Sequence, residues 1–189
     1  MVDDEKGRKV WVHGDRNGHL YSIDRTNGKC NWVVPIARVN WVTGFGENCR
    51  PIVNPDKVPR YDKIVTDIAP ILDGGKEWHP AAYSPRTKLV YIPFIDSSMD
   101  IQAKKTEWKH GEWFLSSRVL KANPYTGGVK AFNATTGEQI WTRPQSTPAT
   151  SGLLATAGKL VFSGDAEGWF SALKDDTGEE MWRFNVGSG

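Results

Sequence analysis

Cysteine is scarce in this chain: 189 residues carry only Cys30 and Cys49, and their spacing is not that of a metal site. The pair is compatible with a disulfide in an oxidising compartment, with two free thiols, or with one of each. No apolar run approaches the roughly 18 residues that span a bilayer. The N-terminal MVDDEKGRKVWV is acidic and then basic, with no apolar stretch of signal-peptide length. Charge of one sign is also lacking. A net charge of +2 is too small to indicate nucleic acid or an anionic membrane surface as partner. His13, His19, His79 and His110 show neither an HExxH motif nor paired-ligand spacing. Gly44-Phe45-Gly46 lacks the third glycine and following helix of a dinucleotide loop, and no Ser/His/Asp nucleophile motif is present. Asn133-Ala134-Thr135 matches a glycosylation sequon but falls inside a repeat, where we read it as coincidence.

What the chain does have is tryptophan and repetition. Nine Trp and 39% hydrophobic residues suffice for a packed core in one domain or part of a larger one. Gly14 to Trp32 (GDRNGHLYSIDRTNGKCNW), Asn123 to Trp141 (NPYTGGVKAFNATTGEQIW) and Gly164 to Trp182 (GDAEGWFSALKDDTGEEMW) are three copies of one 19-residue pattern. A Gly (Gly18, Gly127, Gly168) precedes a segment of alternating polarity, the period of a half-buried strand. An Asn-Gly or Thr-Gly turn follows, and a Trp closes the unit four residues later.

A further strand precedes the hairpin: Lys9 to Gly14 matches Lys159 to Gly164, and Lys88 to Ile92 matches the same segment. Ala81-Ala82-Tyr83 adds an opening strand to the middle copy. The reading is all-β: three four-stranded antiparallel units, the first lacking its opening strand, as blades of a β-propeller segment. The blades fall at about 1–34, 79–143 and 151–186, within one partial domain over 1–189, with insertions at 35–78 and 94–126. The recurring Trp32, Trp141 and Trp182 are expected to fill equivalent spaces between neighbouring blades. Three blades are fewer than closure usually needs, so a piece of a longer protein is expected rather than a self-assembled ring.

Where the copies differ, function can have been added. Alternation of turns places Asp15-Arg16-Asn17-Gly18, the end of the first insertion (Gly74-Gly75-Lys76-Glu77-Trp78) and the second insertion on one face, where long loops build sites. Tyr125 and Ala166 are the counterparts of Arg16, so the turn itself does not demand an Arg. From the residues alone Arg16 also reads as a solvated surface side chain, and Glu77 and Trp78 as a loop acid and a packing Trp. Trp108 and Trp113 flank His110 in EWKHGEW, which reads as a loop pinned by aromatics more than as a ligand site.

HGDRNGHLYSIDRTNGK, GGKEWHPAAYSPRTKLVYIP and TAGKLVFSGDAEGWFSALKDDTGEEMWRFNVGSG closely resemble the pyrroloquinoline quinone (PQQ)-dependent alcohol dehydrogenases, among them the methanol and ethanol quinoproteins. The resemblance covers nearly the whole chain, least distinctively Val33 to Pro70 and Ser97 to Ala122. It implies an eight-bladed propeller with PQQ and a calcium or lanthanide ion near its axis, and hydride transfer from a primary alcohol to the quinone with an acidic base near the metal. Arg16 matches the basic residue that contacts the quinone oxygens. Glu77 and Trp78 match an Asn-Trp or Asp-Trp pair whose first member approaches the cofactor edge; Glu in place of the commoner Asn puts a direct hydrogen bond there in doubt.

The same resemblance places the metal ligands, the catalytic Asp, the vicinal disulfide and the ring stacked over PQQ before Met1, so no catalytic or metal-binding residue is expected in this chain. It further implies a periplasmic location, a cytochrome c-type electron acceptor, contact with the remainder of the propeller, and a C-terminal-half fragment inactive alone. The other reading is a non-catalytic Trp-repeat propeller, a periplasmic protein-binding scaffold.

Overall fold

The structure, a computed structural model, describes residues 1–187. Strands β1 (Val2–Asp3), β2 (Lys9–Gly14), β3 (His19–Asp24) and β4 (Cys30–Pro35) form the first antiparallel sheet in chain order. Its opening strand, expected to be missing, is therefore present, with Val2 opposite Val10 and Asp3 opposite Lys9. Two residues cannot display a two-residue period, so the strand was invisible to pattern reading.

The first insertion contributes β5 (Val42–Phe45), β6 (Pro51–Val53) and β7 (Val65–Ile68). Next come β8 (Ala82–Ser84) and β9 (Leu89–Asp96), then β10 (Met99–Ala103) and β11 (Ser117–Ala122) of the second insertion. Strands β12 (Thr126–Asn133) and β13 (Gln139–Gln145) follow, and β14 (Leu154–Ala155), β15 (Leu160–Gly164), β16 (Trp169–Lys174) and β17 (Glu180–Asn185) end the described chain. The second sheet runs β13-β12-β9-β8 and the third β14-β15-β16-β17, each antiparallel. The chain is thus all-β in three successive four-stranded sheets. Even the irregularities repeat: the ladder slips after Ser22, Ala131 and Ala172, and those residues face Trp32, Trp141 and Trp182.

Two apolar layers join the sheets. Leu20, Ile36, Val90, Ile92 and Phe132 fill the first, and Leu89, Tyr91, Val129, Val161 and Leu173 the second, all buried. Burying each such side chain stabilises the fold by about 1.5–3 kcal/mol. Trp32 lies across the next unit's Thr-Gly turn, where a Cβ on Gly137 would come within 2.8 Å of its ring. Trp141 covers Gly178 in the same way, at 2.6 Å. Each indole N–H donates to a carbonyl of the turn it covers, Trp32 to Thr135 at 2.9 Å and Trp141 to Asp175 at 3.2 Å. Only glycine satisfies both the positive φ of these turns, 77° and 73°, and the approach of the ring.

The third Trp departs from the expectation. Trp182 is 50% exposed, because among the described residues no further sheet stands beyond β17 to receive it. At the opposite end Gly28, equivalent to Gly137 and Gly178, has no atom near the site of its missing Cβ.

The insertions fold together, which the sequence did not reveal. Strands β11, β10 and β7 form one three-stranded sheet over a small core of Val65, Ile68, Ile71, Met99 and Ile101. Asp67 ties it down by pairing with Arg38 and accepting from Ser98 Oγ at 2.8 Å. These partners hold its carboxyl at a pKa of about 2. Cys30 and Cys49 form a disulfide that anchors the first insertion to β4.

Candidate functional site

The β2–β3 turn carries Arg16, and Leu72–Glu77 passes directly beneath it. Arg16 Nη2 donates to the Leu72 carbonyl at 2.7 Å, and Nη1 lies 2.8 Å from Glu77 Oε1. The backbones are in contact as well: Gly75 N donates to the Arg16 carbonyl at 2.9 Å, and any side chain at Gly74 would strike that same carbonyl. Two glycines in sequence therefore let the loop approach close enough for an ion pair. Tyr125, at the position equivalent to Arg16 in the next unit, grips the same segment by donating to Asp73 Oδ2 at 2.7 Å. Burial and this bond to a carboxylate push its phenol up to about 12.

Lys76 supports the loop from below. The side chain is buried, and its ammonium donates to the carbonyls of Glu77 at 2.7 Å and His79 at 2.8 Å. Burial lowers its pKa, against the opposing effect of Glu77. The space for its methylenes exists because Gly14 has no side chain: a Cβ there would lie 2.8 Å from Lys76 Cδ. Trp78 projects from the loop, 79% exposed, and stacks on His79 at 4.5 Å. His13, Asp15, Arg16, Lys76, Glu77 and Trp78 together line an open cleft of about 410 Å³. A second hollow of about 340 Å³, apolar and walled by Trp41, Ile68, Pro70 and Leu72, lies on the other side of Arg16.

Arg16 and Glu77 thus meet, and Trp78 stands at the rim of the same cleft. Lys76 and Tyr125 were not singled out from sequence. Among the described residues no three His, Cys, Asp or Glu side chains gather as a metal site. The EWKHGEW segment differs from its reading as a pinned loop. Trp108 meets His110 edge-on at 6.2 Å, yet Trp108 is 67% and Trp113 87% exposed, so the aromatics fasten nothing.

Comparison with known proteins decides what kind of chain carries this cleft. It is 34% identical over 98% of its length to the quinoprotein ethanol dehydrogenase of Pseudomonas putida. The chain is a homologue of the quinoprotein alcohol dehydrogenases. The lanthanide-dependent methanol dehydrogenase of Methylacidiphilum fumariolicum is likewise 34% identical over 97% of this chain. Among solved structures, a europium-containing methanol dehydrogenase matches 97% of the chain with a TM-score of 0.89 and 34% identity. The chain spans about a third of these proteins, 32% of each of the two curated relatives and 34% of the solved chain. The PQQ_2 family model, described as outer membrane protein assembly factor BamB, matches residues 126–189, which include neither Arg16 nor the Glu77-Trp78 pair.

Proposed function

We propose that this quinoprotein homologue is the segment of a PQQ-dependent alcohol dehydrogenase that supplies Arg16, Glu77 and Trp78 to the quinone pocket, the whole enzyme oxidising a primary alcohol. The observation that carries the reading is the half-exposed Arg16 guanidinium, clamped in place at the cleft mouth by Leu72 and Glu77. A planar cation beside a cleft and a bare indole at its rim fit one edge of a flat anionic quinone. When bound, the quinone would accept the hydride while a calcium or lanthanide ion polarises the alcohol oxygen. Ligands for that ion and the catalytic base are proposed to come from polypeptide outside this chain.

Within the chain, each residue has a distinct task. Arg16 meets the negative charge that grows on the quinone oxygens, and because it is already fixed it needs no rearrangement to do so. Glu77 is an acceptor and cannot donate to an anionic oxygen, so its role is to orient Arg16. Lys76 holds the carbonyls of Glu77 and His79 and thereby the attitude of the whole loop. Trp78 offers a flat face to the cleft. A periplasmic setting agrees with the Cys30–Cys49 disulfide, and a c-type cytochrome as electron acceptor is carried over from the family resemblance. The scaffold alternative is less well supported, since the BamB-described match covers only the later repeat units and not the cleft.

The test is a chimera in which this chain replaces the matching third of the Pseudomonas putida enzyme. It is expected to oxidise ethanol with PQQ. Arg16→Ala in it should lower kcat at least about tenfold and leave the alcohol KM within about threefold. An active chimera indifferent to Arg16→Ala would refute the assignment. The isolated chain with PQQ and calcium should reduce no dye in the presence of alcohol; turnover would show that the base is wrongly placed.

A further inference from the structure

The second insertion ends in a finger that the cleft does not use. Strands β10 and β11 pair out to Ala103 and Ser117. The ribbon continues through Lys104 N donating to the Ser116 carbonyl at 2.8 Å and Thr106 Oγ1 to that of Leu115 at 3.0 Å. A turn closes the tip, with Glu112 N donating to the Lys109 carbonyl at 3.2 Å and Gly111 at φ 78°. Every residue from 104 to 116 is exposed. At this tip Trp108, Trp113, Phe114 and Leu115 are 67%, 87%, 43% and 40% exposed. So much apolar surface on a protruding point marks a contact site.

Three features say what the contact is. The tip is the end of a hairpin with every residue exposed, the form of a surface contact rather than of an enclosed ligand site. It also carries a small positive balance: Lys104, Lys105 and Lys109 outnumber Glu107 and Glu112 by one, and along the ribbon Arg118 and Lys121 add two charges against Asp100. Finally, the cations at the tip are all Lys. Protein interfaces favour Arg and are depleted in Lys. Trp and Phe flanked by Lys is the composition of segments that rest at a membrane surface, with the rings at headgroup depth and the ammoniums on lipid phosphates. We propose that residues 104–116 form a docking finger for an anionic lipid surface, with Trp108, Trp113 and Phe114 entering the headgroup boundary.

The test is flotation of the full chain with vesicles of phosphatidylcholine containing about 30% phosphatidylglycerol, against phosphatidylcholine alone. Binding is expected on the anionic vesicles and at least roughly tenfold weaker binding on the neutral ones. Replacing Lys104, Lys105 and Lys109 together by Glu should weaken it by roughly a hundredfold or more. Trp108→Ser, Trp113→Ser and Phe114→Ser combined should abolish it with the charge unchanged. None of these side chains belongs to a buried core cluster, so each variant should keep the wild-type thermal transition. The bare end sheet supplies the control: Trp182→Ala with Phe184→Ala should leave vesicle binding as it was. Three results overturn the proposal: no binding to anionic vesicles, binding that survives the tip substitutions, or binding lost through the end sheet instead. The first of them would leave a protein partner for the finger.

Discussion

Replacing Trp141 by Ala tests the repeat architecture at its most loaded joint. Its ring is buried between the second and third sheets, 5.7 Å from Tyr91 and flat on the Gly178 turn. Removing so large a buried ring costs about 3–5 kcal/mol, transfer and cavity terms together. The lost indole hydrogen bond adds little, because the Asp175 carbonyl keeps its second donor, Tyr91 Oη at 2.9 Å. Trp182 is the matched control, equivalent in the repeat but half exposed and with no partner for its N–H among the described residues. Its truncation should cost about 1 kcal/mol or less. For a chain of this size each kcal/mol shifts Tm by about 2–4 °C, so Trp141→Ala should lower it by about 6–20 °C and Trp182→Ala by no more than about 4 °C. Trp32→Ala, half-buried, should fall between. Thermal unfolding followed by circular dichroism makes the comparison. Equal losses for Trp141 and Trp182 would refute the inference that the next sheet's turn makes the tryptophan count.

The turn glycines supply a complementary pair. Gly28→Ala meets open space and should cost only the backbone penalty of roughly 1–2 kcal/mol, whereas Gly178→Ala also drives a methyl into Trp141 and should cost at least about twice that in urea unfolding. Reducing the Cys30–Cys49 bond, which closes a separation of 19 residues, should lower stability by about 3 kcal/mol, measured with and without dithiothreitol. His19 is buried among Tyr21, Trp41 and Phe45, with Nδ1 unpartnered, and burial lowers its pKa from the ordinary 6.5. The unfolded chain therefore takes up the proton first, so stability should decline as pH falls below about 6.5. His19→Phe should flatten that slope in unfolding midpoints measured across the range.

Features set by short-range spacing were legible before the structure. The Gly-strand-turn-Trp unit places three equivalent hairpins, and the departures from it at Arg16 and at Glu77-Trp78 point to the cleft. Features set by distant contacts were not. The pairing of Ile68 with Met99 joins two insertions with no turn signal between them. Nothing in GGKEW marks Lys76, whose burial follows from the bare α-carbon of Gly14, far away in sequence. Tyr125 was noted only as a counterpart of Arg16; its hold on Asp73 depends on how the second unit sits beside the first insertion. Trp182 shows the opposite failure, because an equivalent repeat position predicts burial that only a neighbouring sheet can provide.

A crystal structure of the chimera with PQQ bound tests the central claim most directly. The account predicts the Arg16 guanidinium within about 3 Å of a quinone oxygen, with Glu77 still paired to it and Trp78 bordering the cofactor. A quinone seated away from Arg16, with that side chain pointing to solvent, would contradict it.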